Sequence, residues 1–371
     1  MITQLVPGTA PVDGVHRAAL ALTSGVAAAG VGSVVLVLRH GSARAQWESV
    51  AQVREAMPFL ACTARRPAAI ARSLRFAARW PNDSCVVVAH REDLVNAGAL
   101  IGGCHRIPLV WHAHNAPPDW MRWGDPVRLF GTRGVRKVIV ASRFMERVWR
   151  RRVPERVPVE VVEYPIDCDF FEMPSAVARV EARRRLAVGD GELLVAYSGR
   201  IEEAKGVHVL AAAGARLAGR RPVHVLLQGP ASAGVAPDQA AAYRARCEAM
   251  FGDTPHTWLA PDADVRPLLA AADIAVVPSV WAEPSGLTVS EALATGTPLV
   301  ASDTGGIPEQ MPSSQFARLV RPGDAAALAS VLEDVGAAAP GEADRRALRE
   351  HVVATRGLSQ AAGRYLGALT V

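Results

Sequence analysis

The chain has few of the residues that stabilise secreted or metal-binding scaffolds. Its 371 residues include only five cysteines, which are widely spaced and form no CxxC pair. This pattern excludes a disulfide framework and a cysteine-based zinc site, and it favours a reducing, cytoplasmic location. Residues 1–8 also lack the charged start and the small-residue cleavage pattern that are typical of a signal peptide.

Membrane-spanning character is also lacking. Residues 18–38 carry no charge and are long enough to cross a bilayer, but glycine, serine and threonine interrupt them. The segment divides into a helix that ends near Gly30 and a β-branched run at 34–38. We therefore expect one helix and one strand of a sheet domain here.

Lysine is scarce, because all but two of the 41 basic residues are arginine. Residues 1–168 contain 22 basic and 13 acidic side chains, a balance of +9, whereas the remainder contains 19 and 23, a balance of −4. A basic first half favours an anionic acceptor or a peripheral contact with a membrane surface, although a general arginine bias explains it equally well. No nucleic-acid-binding module accompanies the charge, so no nucleic-acid partner is expected.

Alternating strands and helices run through both halves of the chain. Apolar runs predict strands at 2–6, 34–38, 85–89, 109–112, 138–140 and 159–162, and then at 193–198, 223–228, 256–259, 274–277, 298–301 and 317–319. Helices at 16–29 and 68–78 illustrate the segments between them, and one last helix is expected at 343–369. This rhythm predicts an α/β protein with two doubly wound halves that join near residues 164–174. Ligands of such open sheets bind beyond the carboxyl ends of the strands.

One segment of the second half combines an anion site with two carboxylates. The strand Ile274–Val277 is followed by a loop and by the helix Leu287–Ala294, which Gly286 precedes. Unpaired N–H groups at a helix start suit a phosphate. Glu283 in the loop and Glu291 one turn inside the helix can accept hydrogen bonds from sugar hydroxyls.

This segment resembles the nucleotide-binding signature of the retaining GT-B glycosyltransferases of family 4. The resemblance includes the Glu-x7-Glu spacing, Gly296-Thr297-Pro298 and Gly305-Gly306. It implies that Glu283 contacts the donor sugar, that Glu291 contacts the ribose, and that the backbone of Gly286, Leu287 and Thr288 contacts the diphosphate. Ser285 departs from the family, in which an aromatic residue is common.

A second basic element follows the first strand of the second half. Arg200 offers a planar fork to phosphate oxygens, and Lys205 offers a compact charge beside Gly206. The pair resembles the GR…KG element of family 4, in which the two cations neutralise the donor diphosphate. Together with the helix amides, this predicts stabilisation of the leaving group without a metal.

Histidines mark the end of a strand in the first half. Alternation along the strand places His112 and His114 on one face, followed by Asn115. The resemblance to family 4 selects His114 as the active-site histidine, six residues after Pro108. His112, Asn115 and His90 are candidates for the acceptor side. A third metal ligand is not expected at a suitable spacing, so no metal is predicted.

Two loops depart from the family pattern. Relatives have a double glycine before the first long helix, where this chain has Asp13-Gly14. Gly14 is a candidate for donor binding, whereas Asp13 caps the helix or contacts the acceptor. Tyr164 and Pro165 replace the usual Asn-Gly at the join between the halves.

The resemblance implies a GT-B fold, with two Rossmann-like domains facing a central cleft. Residues 1–168 would bind the acceptor, residues 169–350 the nucleotide-sugar donor, and residues 351–371 would cross back to the first domain. The implied activity is transfer of a sugar, with retention, from a UDP-sugar to a hydroxyl of a glycan, a lipid-linked or a natural-product acceptor, without a cofactor. A sugar-nucleotide epimerase or phosphorylase, and a non-catalytic partner subunit, remain as alternatives.

Overall fold

The computed structural model describes residues 1–9, 14–38, 41–55, 67–80, 83–125, 130–231, 235–261 and 263–370, with only the backbone at 67–70, 72, 73 and 130. Two compact units divide the chain. Unit 1 comprises Met1–Pro165 with Arg356–Val371, and unit 2 comprises Ile166–Thr355. Within the ranges described, no helix combines the length and the apolar character needed to cross a bilayer.

Unit 1 contains a seven-stranded parallel sheet with the strand order β3-β2-β1-β4-β5-β6-β7. Its strands are β1 (Ile2–Val6), β2 (Ser33–Val37), β3 (Gln52–Glu55), β4 (Val86–Ala89), β5 (Leu109–Ala113), β6 (Val135–Val140) and β7 (Val159–Val161). The helices between them are α1 (Gly14–Ala28), α2 (Arg44–Glu48), α3 (Pro67–Arg79), α4 (Val95–His105) and α5 (Arg143–Arg150).

Unit 2 contains a six-stranded parallel sheet with the order β10-β9-β8-β11-β12-β13. Its strands are β8 (Leu193–Ser198), β9 (Val223–Gln228), β10 (His256–Trp258), β11 (Ile274–Val277), β12 (Leu299–Ser302) and β13 (Ala317–Val320). The helices are α6 (Ala176–Arg185), α7 (Val207–Ala218), α8 (Pro237–Phe251), α9 (Arg266–Ala271), α10 (Leu287–Ala294), α11 (Ala325–Ala338) and α12 (Glu342–Arg356); a final helix, α13 (Leu358–Leu369), belongs to unit 1.

Both units are doubly wound, as predicted, and the strand order reverses once in each sheet. The reversal lies between β1 and β4 in unit 1 and between β8 and β11 in unit 2, because each first strand pairs with neighbours on both sides. The strands flanking these points are almost fully buried, which accounts for their apolar sequences. Crevices at such reversals are where open α/β sheets bind ligands.

Two elements differ from the sequence prediction. Strand β3 was not predicted, because its sequence QVRE lies at the edge of the sheet with mostly exposed side chains and gives no apolar signal. The predicted single helix at 343–369 is wrong, since Gly357 adopts an extended conformation (φ −55°, ψ 150°) and separates α12 from α13.

The end of the chain packs against its beginning. Helix α13 lies on α1, where a Cβ placed on Gly25 would stand 2.9 Å from the Cβ of Ala362. Tyr365 and Leu369 of α13 join Ile2 of β1 and Val110 of β5 in one buried apolar cluster. The absence of a side chain at residue 25 therefore allows the two helices to approach closely.

Two glycine-to-alanine substitutions separate helix propensity from this packing. Gly363 in α13 has open space around it, so Gly363→Ala should raise the free energy of unfolding by up to about 1 kcal/mol. Gly25→Ala gains the same propensity but crowds Ala362, and we expect it to be less stable than Gly363→Ala by about 1–3 kcal/mol. Urea denaturation of both variants tests this, and equal stabilisation would contradict the close approach of α1 and α13.

Candidate functional site

The loops after β8 and β11 meet at the strand-order reversal of unit 2. Arg200 and Lys205 follow β8, and Glu283 follows β11. The Nζ atom of Lys205 lies 2.5 Å from Oε1 of Glu283. The fold thus brings together two side chains that are 78 residues apart in the sequence.

Glu283 is fixed from several directions. Its side chain is only 6% exposed, and besides the contact with Lys205 its Oε1 accepts a hydrogen bond from Oγ of Ser279 at 2.6 Å. Its main-chain carbonyl accepts from the N–H of Gly306 at 2.8 Å. The carboxylate is therefore held in one orientation in the crevice. Sequence reasoning assigned no role to Ser279.

Two glycines make this arrangement possible. Gly206 has a φ of +72°, and a Cβ there would lie 1.9 Å from the carbonyl oxygen of Pro278. Gly305 has a φ of +60°, and a Cβ there would lie 2.2 Å from the carbonyl oxygen of Glu283. Because any side chain would collide with backbone at both places, glycine allows the loops after β8 and β12 to close on the loop after β11.

Arg200 is also paired with a carboxylate. Its guanidinium forms a forked contact with Glu202, with distances of 3.0 and 3.3 Å, and its side chain is 38% exposed. Sequence reasoning did not assign a role to Glu202. Arg200 and Lys205 each have an acidic partner, Glu202 and Glu283 respectively. An incoming anion would share them with Glu202 and Glu283.

The start of α10 offers backbone N–H groups. Gly286 has a φ of +90° and immediately precedes the helix, so the amides of Leu287 and Thr288 belong to its first turn, at the positive end of the helix dipole. Gln310 holds this loop, because its side-chain amide donates to the carbonyls of Ser285 and of Gly286, the latter at 3.3 Å. No pattern in the sequence pointed to Gln310.

Glu291 lies one turn into α10 and is 2% exposed. It shares this burial with Ser285, which stands where relatives commonly have an aromatic residue. The predicted donor-binding residues of unit 2 therefore all lie in the loops after β8 and β11 or at the start of α10.

A cluster of three histidines lies at the reversal of unit 1. His90 directly follows β4, His112 lies in the adjacent strand β5, and His114 directly follows β5. Nδ1 of His90 is 2.9 Å from Nε2 of His114, and the rings of His112 and His114 stack with centroids 4.2 Å apart. The expectation that no third imidazole would join the pair is wrong, because adjacent parallel strands bring His90 beside His114. One nitrogen from each of the three lies within 4.8 Å of the others.

Burial keeps these imidazoles uncharged. It lowers the pKa of His90 to about 3, with a further contribution from His16. Burial, and then the neighbouring histidines, lower the pKa of His112 and of His114 well below the usual 6.5. His90 and His114 also line a small cavity of about 90 Å³, together with Asn115.

The other predicted residues of unit 1 are more peripheral. Gly14 is exposed at the start of α1, and Asp13 lies outside the described residues. Asn115 has an exposed side chain, and its main-chain carbonyl accepts a hydrogen bond from Nε1 of Trp149 at 3.0 Å. Asn115 therefore remains an acceptor-side candidate on position alone.

Each half of the chain matches a glycosyltransferase family model. Residues 12–170 match Glycosyltransferase Family 4, and residues 192–336 match Glycosyl transferases group 1. The fold is GT-B: the crystal structure of Anabaena HepE in complex with UDP and glucose aligns over 100% of this chain and 99% of its own, with a TM-score of 0.82 and 19% identity.

Curated relatives match over parts of their length. A glycogen synthase of Mycobacterium tuberculosis is 40% identical over 175 residues, which are 45% of this chain and 38% of the relative. An alpha-maltose-1-phosphate synthase of Mycolicibacterium smegmatis is 33% identical over 247 residues, 63% of this chain and 64% of the relative. The chain thus spans between about a third and two thirds of these relatives' length.

The histidine cluster predicts a loss of stability in acid. Above pH 6.5 these imidazoles are uncharged in both states; below it, the unfolded chain takes up protons that the folded chain does not. Stability should therefore fall as the pH drops from 6.5 towards 3, by up to about 1.4 kcal/mol per pH unit for each histidine. Urea denaturation followed by tryptophan fluorescence measures this, since six of the eight tryptophans lie in unit 1.

His112→Phe provides the control. Among the described residues, neither ring nitrogen of His112 has a hydrogen-bond partner, so phenylalanine removes a titrating group without breaking a hydrogen bond. Below pH 6.5, the free energy of unfolding of the variant should fall less steeply with pH than that of the wild type, because one fewer histidine takes up a proton on unfolding. Identical slopes in the two proteins would contradict the proposed origin of the acid sensitivity.

Proposed function

We propose that this chain is a retaining glycosyltransferase that transfers a sugar from a nucleoside-diphosphate sugar, with UDP as the nucleotide, to an acceptor hydroxyl. The observation that carries the proposal is the Lys205–Glu283 pair beside the start of α10, at the strand-order reversal of unit 2. The two glycosyltransferase family models support it, and so does the similarity to HepE, whose crystal structures hold UDP with glucose and UDP-glucose.

The main chemical requirement of the reaction is stabilisation of the departing diphosphate. Negative charge develops on its oxygens as the bond to the anomeric carbon breaks, and preorganised donors stabilise it. Lys205 has three N–H donors, and its contact with Glu283 directs the ammonium into the crevice. The amides of Leu287 and Thr288 and the guanidinium of Arg200 complete the set of donors.

The carboxylates then recognise hydroxyls. Glu283, held by Ser279 and Lys205, would accept hydrogen bonds from the transferred sugar, and Glu291 would accept them from the ribose. Because Glu283 is oriented before the ligand arrives, it would lose little conformational freedom on binding.

Unit 1 would bind the acceptor. His114 stands where family members have their active-site histidine, beside the small cavity that it lines with His90. With retention, the acceptor attacks the face from which the diphosphate leaves, and a donor phosphate oxygen takes its proton. The acceptor would be a glycan, a lipid-linked precursor or a natural product; the basic residues of the first half favour an anionic one.

Replacing Arg200 tests whether its guanidinium stabilises the leaving diphosphate. Arg200→Ala should lower kcat by about 10²- to 10³-fold, the usual cost of losing one donor to a developing anion. UDP release from UDP-sugars in the presence of acceptors measures kcat, and calorimetry measures UDP binding. Arg220→Ala is the matched control, because it removes an exposed arginine paired with Glu333 in the same unit.

These measurements also separate the alternatives. Acceptor-dependent release of UDP supports transfer, whereas isomerised donor without any acceptor indicates an epimerase. Sugar phosphate formed with inorganic phosphate indicates a phosphorylase. A folded chain that binds no nucleoside diphosphate would refute the proposal and indicate a non-catalytic subunit.

Activity should persist in the presence of EDTA. The positive charges of Arg200 and Lys205 and the amides at the start of α10 stabilise the charge of the leaving group, so no divalent cation is required in this proposal. Initial rates with and without excess EDTA should agree within about two-fold, a difference below about 0.4 kcal/mol in the barrier. Loss of activity that added Mg²⁺ restores would contradict the metal-free mechanism.

A further inference from the structure

A buried chain of hydrogen bonds runs through the histidine cluster of unit 1. Gln4 of β1 is fully buried, and its Oε1 lies 3.0 Å from Nε2 of His90. Nδ1 of His90 lies 2.9 Å from Nε2 of His114, whose Nδ1 lies 2.6 Å from the hydroxyl of Tyr164. These hydrogen bonds thus connect Gln4, in the interior of the sheet, to His114, which occupies the position of the family's active-site histidine.

The α1 backbone determines which way the Gln4 amide faces. The hydroxyl of Thr23 lies 2.7 Å from the carbonyl of Ala19, its shortest contact, and so donates its proton there. Its oxygen then accepts from Nε2 of Gln4 at 3.0 Å, and Oγ of Ser33 lies 3.4 Å from the same nitrogen. Oε1 of Gln4 lies farther from the Thr23 hydroxyl, at 3.2 Å, and receives no proton from it, because the single hydroxyl proton is donated to Ala19. The amide nitrogen therefore faces α1, and Oε1 faces His90.

This orientation of the Gln4 amide determines which atom carries the proton in each of these hydrogen bonds. An amide oxygen only accepts, so Nε2 of His90 carries the proton and donates it to Gln4. Because an uncharged imidazole has one N–H, Nδ1 of His90 accepts from Nε2 of His114. Nδ1 of His114 then accepts from the hydroxyl of Tyr164. Each ring is left with one allowed tautomer, and both nitrogens of His114 are engaged.

A metal ion would fit this cluster poorly. A metal lies in the plane of each imidazole that binds it, but the rings of His112 and His114 stack, with 21° between their planes. Zinc–nitrogen bonds of about 2.0–2.1 Å would also separate the bonded nitrogens of His90 and His114 to roughly 3.3 Å. The direct hydrogen bond at 2.9 Å satisfies both atoms without such a movement.

We infer that Gln4 is a positioning residue, which acts through His90 to hold His114 in a single uncharged tautomer with its proton on Nε2 and its Nδ1 turned to Tyr164. Gln4 makes no contact with the cavity that His90 and His114 line. Tyr164 replaces the asparagine that is usual in family 4, so the hydrogen bond between His114 and Tyr164 is a feature of this sequence. The catalytic consequence rests on the proposed function, whereas the tautomer does not.

Nitrogen NMR of the protein with ¹⁵N-labelled histidine tests the tautomer directly. Wild-type His90 and His114, identified through His90→Gln and His114→Gln, should each show a protonated Nε2 and a bare Nδ1. Gln4→Leu removes the acceptor, and Thr23→Val releases the amide to turn over; both should give mixed tautomers at His114. Thr3→Val is the matched control, because Thr3 lies beside Gln4 in β1. The substitution breaks the buried hydrogen bond between Thr3 and Ser84 and should leave the tautomers unchanged.

Activity provides the second measurement. Gln4→Leu should lower kcat by about 10- to 100-fold, as for other groups that orient a functional histidine, while UDP binding to unit 2 stays unchanged. Wild-type protein that neither binds UDP nor transfers sugar would refute the proposed function but leave the NMR test intact. A bare Nε2 on wild-type His114, unchanged tautomers in Gln4→Leu, or stoichiometric zinc bound through His90 and His114 would overturn the inference.

Discussion

The candidate donor site of unit 2 depends on the contact between backbone segments at Gly206 and Gly305. These glycines let the loops after β8 and β12 lie against the loop after β11, with no room for a Cβ at either position. The Lys205–Glu283 contact and the hydrogen bond from Ser279 both require this closure. The charges of the site are thus oriented by main-chain packing before any ligand arrives, and the side chains need little reorganisation on binding.

The two units apply one topology to two kinds of chemistry. In unit 2 the reversal between β8 and β11 holds ion pairs, which suit a ligand whose charge grows during reaction. In unit 1 the reversal between β1 and β4 holds uncharged imidazoles, whose protons are ordered by Gln4. Burial accounts for this contrast, because it suppresses the charge of His90 and His114, whereas the cations of unit 2 remain partly exposed.

The sequence predicted most elements that have a buried apolar face, and it also predicted the loop between β11 and α10. It did not reveal strand β3, whose exposed edge has no apolar pattern, or the break at Gly357 within an otherwise helical segment. The partners Glu202, Gln310 and Gln4 were also missed. Spacing identifies residues that share one element, but Gln4 and His90 meet only because β1 and β4 are neighbours in the sheet.

The docking of α13 has a consequence for biosynthesis. Tyr365, Ala368 and Leu369 cover an apolar patch of the first sheet that includes Ile2 and Val110. A ribosome makes the sheet strands of unit 1 first, then unit 2, and this covering helix only after unit 2. The strands of unit 1 therefore leave the exit tunnel with that patch open to water, and the patch is covered only after α13 has also emerged. During translation, unit 2 can complete its own core before unit 1 does, which inverts the usual N-to-C order of domain folding.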